Sequence, residues 1–268
     1  MVKDRFRCSA HVYAYIVIFI PPYAKGDFFM PKTIQNQSNF VVKKIVTSAL
    51  FAAIAYVAMF VTSWIKVGFL TFDAKDAVIT LAGLLFGPLY ALSISLAVAL
   101  LEFITVGDTG IYGFIMNFLS SAAFSFFCAL IYKYKKNIKG AIIGLISSVF
   151  SMTAVMLLFN IFITPLYMNV QRSVVISMIP TLFLPFNLTK GFLNAALVLL
   201  LYKPISKSLK AAKILPSHQS ANSDTEALRE RKRKNLVFSL VVTGVSLITI
   251  AICAVVLIVF LKGTVSFS

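Results

Sequence analysis

The chain has 268 residues, of which 59% are hydrophobic and 13% are charged, and its formal net charge is +16. Soluble domains carry about 25% charged residues, so this composition excludes a soluble globular protein and indicates an integral membrane protein. The basic residues cluster in short segments between apolar runs, which fits loops that face anionic cytoplasmic lipid and argues against a partner nucleic acid.

Residues 1–42 form an N-terminal extension without a complete membrane span. The apolar stretch HVYAYIVIFI, residues 11–20, is only ten residues long, whereas a span needs about 20. Three basic residues precede it, as in a signal peptide, but no convincing small-residue cleavage site follows. We favour a true translation start at Met30, with a cleaved signal peptide as the alternative.

Six apolar spans are predicted within residues 43–212, which would form the core of the protein. They cover about residues 45–66, 77–86, 89–106, 111–132, 140–164 and 180–202. A Gly-Pro turn joins the short second span to the third, and a loop that contains Arg172 precedes the sixth. A basic linker, residues 213–234, leads to an additional helix within residues 235–262. The expected fold is an all-α integral membrane protein, a six-helix transmembrane bundle with an extra C-terminal transmembrane helix.

Lysine clusters set the predicted orientation of the bundle. The clusters at 43–44, 133–139 and 203–213 fall on one side of the six-span core, and the charges on the other side nearly balance. By the positive-inside rule the lysine-rich side is cytoplasmic, which places the N-terminus of the core inside the cell. The extra span, about residues 236–261, has no charged residue and is interpreted as an anchor that carries the C-terminus outside.

Strongly polar side chains within the spans are the candidate ligand-binding residues, because polar groups are expensive in lipid. Asn187, Lys190 and Asn194 share one helix face in the stretch FLPFNLTKGFLN. The other candidates are Glu102, Asn117, Asn160 and, in the loop before the second span, Asp73. Amides bond to the edge of a ring and aromatic side chains stack on its faces, so this set suits an uncharged or weakly charged aromatic ligand near the outer surface.

Structural alternatives stay open for these residues. An Asn in a membrane helix can join helices, at about 0.6 kcal/mol per bond. Lys190 could extend along its helix to the inner interface, and Glu102 could face outer water. No metal site and no enzyme are expected, because the three cysteines are far apart and the chain shows no serine elbow, phosphate loop or His-Glu pair.

Ala49 and Ala53 stand four residues apart in an alanine-rich strip of the first span. Small residues on one helix face let another helix approach closely in lipid. The strip therefore indicates either packing against a neighbouring span or a docking face for another subunit.

Six stretches between about residues 43 and 215 carry a family resemblance. They are KKIVTSALFAAIAYVAMF, FDAKDAVITLAGLLFGPL, NFLSSAAF with IYKYKKNIKGAIIGLI, LLFNIFITPLYM, and FLPFNLTKGFLNAALVLLLYKPI. The last is the most specific, because Asn-Leu-Thr-Lys-Gly inside a span is not generic hydropathy. With these stretches the chain resembles the substrate-binding S components of energy-coupling-factor vitamin transporters, in particular the riboflavin branch.

The resemblance implies a subunit of a bacterial plasma-membrane importer that captures riboflavin, or another vitamin or heterocycle, from outside. It implies a membrane coupling subunit and two ATP-binding subunits as partners, with riboflavin as transported ligand and no cofactor. Asn187 and Lys190 would contact the flavin ring together with Asn160, and Asp73 would lie in a capping loop. Ala49 and Ala53 match the docking motif of the family.

Two features depart from the family pattern. The stretch LLEFITVGDTGIYG brings Glu102 and Asp108 into a region that is more neutral or basic in riboflavin proteins. The N-terminal extension and the extra helix lie outside the usual six-helix core. A polytopic membrane enzyme and a scaffold or sensor protein are the alternatives from other functional classes.

Overall fold

The computed structural model describes residues 32–63, 65–67, 70–107, 109–211, 240–256 and 265–267. The chain divides into two units, residues 1–40 and 41–268, and the first contributes only the beginning of one helix to the described residues. The apolar stretch at 11–20 and the linker at 213–234 lie outside the described part.

Helices dominate the described residues, with three short strands at one end of the bundle. The elements in chain order are α1 (Lys32–Thr62), β1 (Ile65–Val67), β2 (Leu70–Thr71), α2 (Lys75–Phe86), α3 (Pro88–Thr105), α4 (Gly110–Tyr134), α5 (Ile138–Met168), α6 (Arg172–Met178), α7 (Leu184–Ala211), α8 (Leu240–Val256) and β3 (Val265–Phe267). A π-helical segment, Ile179–Phe183, joins α6 to α7.

Within the described part of the chain, five helical stretches are long and apolar enough to cross a membrane. They are Val42–Thr62, Pro88–Thr105, Gly110–Tyr134, Lys139–Met168 and Arg172–Leu209. The predicted all-α membrane class is confirmed, whereas the predicted count of six spans plus one is not. The helix α2 has 12 residues and rises only about 18 Å, against an apolar layer of about 30 Å.

Several predicted boundaries are wrong; the sixth span, for example, was predicted to end at 202, but α7 continues through Pro204 to Ala211. The first span was predicted to reach residue 66, but α1 ends at Thr62 and a strand follows. The fifth span was predicted to end at 164, but α5 continues through Pro165, which a membrane helix tolerates. It ends at Asn169, whose left-handed backbone (φ 53°, ψ 41°) stops the helix. Arg172, predicted in a loop, is the first residue of α6.

The short helix α2 lies at the centre of the bundle. All its residues from Lys75 to Leu84 are buried, and it packs against α3, α4 and α7. Ile79 and Leu81 are fully enclosed in a core that also contains Phe124 of α4 and Val149 of α5. The start of α2, with its charged side chains, therefore lies inside the bundle.

Two glycines allow α2 and α3 to pack side by side. Gly87 has φ 114° and ψ 169°, a backbone region that is essentially restricted to glycine, and Pro88 then begins α3. Near the end of α2, a Cβ atom on Gly83 would lie 2.8 Å from the Cβ of Ala91 and 3.0 Å from that of Ala129. The contact between α2, α3 and α4 therefore depends on a residue without a side chain.

The three strands form a small antiparallel sheet in the order β2-β1-β3. Lys66 pairs with Thr71 on one edge and with Ser266 on the other. The sheet follows directly after α1 and precedes α2, so residues 265–267 lie at the same end of the bundle as the loop after the first helix. This contact was not part of the sequence-based interpretation of α8 as a plain anchor.

Replacing Gly83 by Ala is expected to lower the free energy of unfolding by about 1–3 kcal/mol, because the added methyl group overpacks the contact with α3 and α4. Gly244→Ala in α8 is the matched control, since its Cβ would meet nothing within 4 Å, and it should be neutral or slightly stabilising. Thermal unfolding of the purified variants in detergent measures both. Equal unfolding midpoints for the two variants would contradict the tight packing of Gly83 against α3 and α4.

Candidate ligand-binding site

A cavity of about 640 Å³ lies among α1, β2 and the helices α2, α3, α4, α5 and α7. Its volume is within the range of about 300–1,000 Å³ typical of small-molecule sites. Six of the seven predicted binding residues line it: Asp73, Glu102, Asn117, Asn160, Asn187 and Lys190. The seventh, Asn194, does not.

The ammonium group of Lys190 is paired inside the bundle. Its Nζ donates to Oδ2 of Asp73 at 2.8 Å and lies 3.8 Å from Oδ2 of Asp76. The side chain is 7% exposed, so the alternative in which Lys190 extends to the inner interface is wrong. Burial raises the pKa of Asp73, but the ammonium groups of Lys190 and Lys75 outweigh this effect and hold that pKa below its ordinary value.

A second ion pair links the start of α2 to the end of α3. The Nζ of Lys75 donates to both carboxylate oxygens of Glu102, at 2.5 and 2.8 Å, and lies 3.5 Å from Oδ2 of Asp73. Glu102 is buried, so the alternative in which it faces outer water is wrong. Lys75 also lines the cavity, although it was not among the predicted binding residues.

Asp76 completes a cluster of three carboxylates and two ammonium groups. Its Oδ1 accepts a hydrogen bond from Ser121 of α4 at 2.5 Å. Asp73, Lys75, Glu102 and Lys190 line the cavity and Asp76 does not, so the formal charges on the cavity wall balance.

Asn194 holds the backbone at the start of α2. Its Oδ1 accepts from the N–H of Ala77 at 3.1 Å, and its Nδ2 donates to the carbonyl oxygen of Asp73 at 3.2 Å. The side chain of Ala74, the N-cap residue of α2, makes no hydrogen bond to the helix. The amide of Asn194 from α7 instead satisfies one of the free N–H groups at the start of α2. Asn194 thus joins helices, which was the structural alternative for the Asn residues.

Two of the other spanning Asn residues, Asn160 and Asn187, are fixed by their own helices. Asn160 donates to the carbonyl oxygen of Met156 at 2.7 Å and accepts from Thr164 at 2.8 Å. Asn187 donates to the carbonyl oxygen of Phe183 at 2.8 Å. Because each amide bonds within its own helix, these contacts orient the side chains at the cavity wall and do not join helices.

Two buried polar atoms on the cavity wall have no hydrogen-bond partner among the described residues. They are Oδ1 of Asp73 and Oγ of Ser120. Buried polar groups are normally satisfied, so these two atoms point to a bound partner. Sequence reasoning missed Ser120, although it follows Asn117 by three residues and therefore shares its helix face.

Aromatic and sulfur-containing side chains form the apolar part of the wall. The rings of Phe103 and Phe114 lie with centroids 5.8 Å apart, and both residues line the cavity together with Tyr167 and Phe186. Met59, Met116 and Met156 add flexible apolar surface. The cavity therefore suits a ligand with both a flat apolar body and several hydrogen-bonding groups.

Residues 43–205 match the family described as ECF transporter, substrate-specific component. The chain belongs to this family. It is 32% identical over 181 residues to the riboflavin transporter RibU of Staphylococcus aureus (strain TCH60), covering 63% of this chain and 93% of that protein. It is 26% identical over 187 residues to the riboflavin transporter FmnP of Bacillus subtilis (strain 168), covering 65% and 98%.

The fold is also similar to a solved S component of a bacterial ECF transporter. The TM-score is 0.53 at 30% sequence identity, and the match covers 63% of this chain and 98% of that structure. The chain is thus a transporter component of the membrane. The match to the family stops short of α8 and β3, which are additions in this S component.

In this S component the alanine strip of α1 has two faces. Ala52 and Ala55 are buried in the core of the bundle, which is the internal packing expected as one alternative. Ala49 and Ala53 are exposed, so the outer face of the strip is accessible. Docking through Ala49 and Ala53 stays a prediction.

Among the described residues, no cluster of His, Cys, Asp or Glu is arranged to hold a metal ion. Cys128 and Cys253 are buried and unpaired. Cys8 lies outside the described residues.

Glu102→Leu is expected to lower the free energy of unfolding by about 3–5 kcal/mol, because it leaves the buried Lys75 without its main partner. The double variant Lys75→Met/Glu102→Leu should recover most of this loss, since no charge is then stranded. Thermal unfolding in detergent is the measurement, with the exposed Lys133→Met as control. A double variant no more stable than Glu102→Leu would show that the pair is not coupled.

Proposed function

We propose that this S component captures riboflavin at the outer face of the cell membrane for import. The observation that carries the proposal is the mixed wall of the cavity, in which aromatic side chains adjoin amides, an ammonium group and two unsatisfied polar atoms. Riboflavin combines a flat ring system that has polar edges with a chain of hydroxyl groups. The two curated relatives, both riboflavin transporters, support the same ligand.

We assign the ring system to the side of the cavity that Asn160, Asn187 and Lys190 line. The amides and the ammonium group can donate to carbonyl oxygens and ring nitrogens at the edge of the flavin. Aromatic side chains such as Phe103 and Phe114 supply apolar surface and ring contacts to its faces. Because the polar groups are already held by bonds to their neighbours, little side-chain entropy is lost when they bind.

The hydroxyl chain is assigned to the part of the cavity where Asp73, Glu102 and Ser120 lie. Carboxylate oxygens accept hydrogen bonds from hydroxyl groups, and Oδ1 of Asp73 and Oγ of Ser120 have free bonding capacity. The proposed ligand is riboflavin, whose hydroxyl chain can donate to these oxygens.

Energy for import is proposed to come from partner subunits, a membrane coupling subunit and two ATP-binding subunits. The exposed face of α1 with Ala49 and Ala53 is the proposed docking surface for the coupling subunit. Small side chains there let a partner helix approach closely, which supports association in lipid, where apolar burial contributes little.

Riboflavin titrated into the purified full chain in detergent is expected to lose its fluorescence on binding, in a saturable way. Ser120→Ala should weaken binding by about three- to tenfold, the loss expected for one hydrogen bond. Its thermal stability without ligand should be unchanged, because Oγ of Ser120 has no partner to lose among the described residues. The affinity for riboflavin is read from the quenching curve.

Ser148→Ala is the matched control, since Ser148 is equally buried but bonds to the carbonyl oxygen of Gly144 in its own helix, away from the cavity. Its affinity for riboflavin should match that of the original chain. An absence of quenching by the original chain would contradict riboflavin as ligand, and a panel of other vitamins would then test the alternative of another heterocycle.

Ala53→Trp is expected to abolish vitamin uptake in cells while leaving riboflavin binding in detergent intact, because the large ring separates the proposed docking surfaces. Ile146→Trp, at an exposed position on α5, is the control and should retain uptake. Uptake and binding are measured on the same variants. Normal uptake by Ala53→Trp would exclude this face as the docking surface.

A further inference from the structure

The strand β3 extends the sheet that forms part of the cavity wall. Its three residues pair with β1 in antiparallel register, Ile65 with Phe267, Lys66 with Ser266 and Val67 with Val265. The other edge of β1 pairs with β2, and both residues of β2, Leu70 and Thr71, line the cavity. The strand β3 is therefore connected to the ligand site through a single intervening strand, β1.

The hairpin of β1 and β2 has little stability of its own. Its ladder contains two residue pairs, extended by one bond from the N–H of Phe72 to the carbonyl oxygen of Ile65 at 2.9 Å. Isolated two-stranded hairpins are at best marginally stable, and a third strand adds the pairing that such a hairpin lacks. The stability of this wall consequently depends on whether β3 is paired.

A three-residue strand would not bind as a free peptide, but β3 is tethered. Only residues 257–264 separate it from α8, which is rich in apolar residues, so the tether reaches at most about 30 Å. A short tether raises the effective concentration of the strand at its partner to the millimolar range. The extra helix α8 thus keeps β3 close to its partner strand, a role beyond that of a membrane anchor.

We propose that β3 stabilises the β1–β2 hairpin as a wall of the cavity, slows the opening of that wall, and so prolongs the residence of the bound ligand. The effect on the ligand rests on the proposed function, whereas the effect on the hairpin does not. A strand in this position would slow entry and exit together, because both require the same wall to move.

Ser266 is the position at which pairing can be removed with least disturbance. The carbonyl oxygen of Ile65 bonds toward β2, and backbone groups alternate between the two neighbours of a central strand. The N–H and C=O of Lys66 therefore point toward β3, opposite Ser266. Ser266→Pro removes the N–H needed for this pair, whereas Ser266→Ala leaves the backbone able to pair.

Amide hydrogen exchange of residues 65–71 in the full chain without ligand is the first measurement. Ser266→Pro should accelerate exchange in this segment by about three- to tenfold, the factor expected from one lost main-chain hydrogen bond, and Ser266→Ala should not. Equal exchange in both variants and the original chain would overturn the proposal.

Release of riboflavin after dilution, followed by recovery of flavin fluorescence, is the second measurement. Release should be faster in Ser266→Pro only, by a factor similar to that expected for hydrogen exchange. The equilibrium affinity for riboflavin should change less, because entry of the ligand is also faster. Faster exchange with unchanged release would overturn the role in ligand retention. If the original chain bound no riboflavin, the proposed function would fail, and hydrogen exchange would still decide whether β3 stabilises the hairpin.

Discussion

The ion pair between Lys190 and Asp73 is the constraint on which the rest of the site depends. An isolated charge in the interior of a membrane protein costs several kcal/mol, so each of these buried groups requires the other. Lys190 lies on α7 and Asp73 directly before α2, 117 positions apart, so their pairing locks the start of α2 against α7. Once α2 begins there, Lys75 meets Glu102 of α3 and Asn194 meets the free N–H of Ala77.

The shortness of α2 explains why a cavity exists next to the ion pairs and hydrogen bonds at the start of this helix. A helix of 12 residues fills about 18 Å of a layer of about 30 Å, and it ends at the Gly87 turn. Its other end lies within the bundle, so the volume beyond it is open to side chains and ligand. The bond from the N–H of Ala74 to Oγ1 of Thr62, at 3.0 Å, ties the chain to the end of α1 at this point. The cavity is thus a consequence of where the chain turns back into the bundle.

Hydropathy and charge were sufficient to predict the membrane class and the approximate positions of α3 and α4. They misplaced the boundaries at Pro165 and Arg172 because turn rules from soluble proteins do not hold for a long membrane helix, in which neighbouring groups compensate for a proline. Lys190 was predicted as a site residue because a buried charge is costly. Its partner Asp73 is 117 positions away, and no local sequence pattern can show such a pairing.

The same limit applies to the remaining site residues. Asn194 shares a helix face with Asn187 and Lys190, yet it lies one turn deeper and bonds to the start of α2. Helical spacing alone cannot separate a residue at a cavity wall from one that packs beneath it. Ser120 could have been found from its spacing to Asn117, whereas Lys75 could not, because its role follows from the position of Glu102 in the folded bundle.

The walls of the cavity differ in how firmly they are held. This difference separates the affinity for the ligand from the rate at which the ligand is released. On the helical side, Asn160, Asn187 and Lys190 are each held by a hydrogen bond of 2.7 or 2.8 Å, so the ligand meets groups that are already oriented. On the strand side, the wall includes β2, which belongs to a hairpin with two residue pairs. Pre-oriented groups chiefly determine how tightly a ligand is held, and the least stable wall determines how often it can leave. A third strand added to that wall changes how often the ligand can leave. It does not contact the groups that determine how tightly the ligand is held.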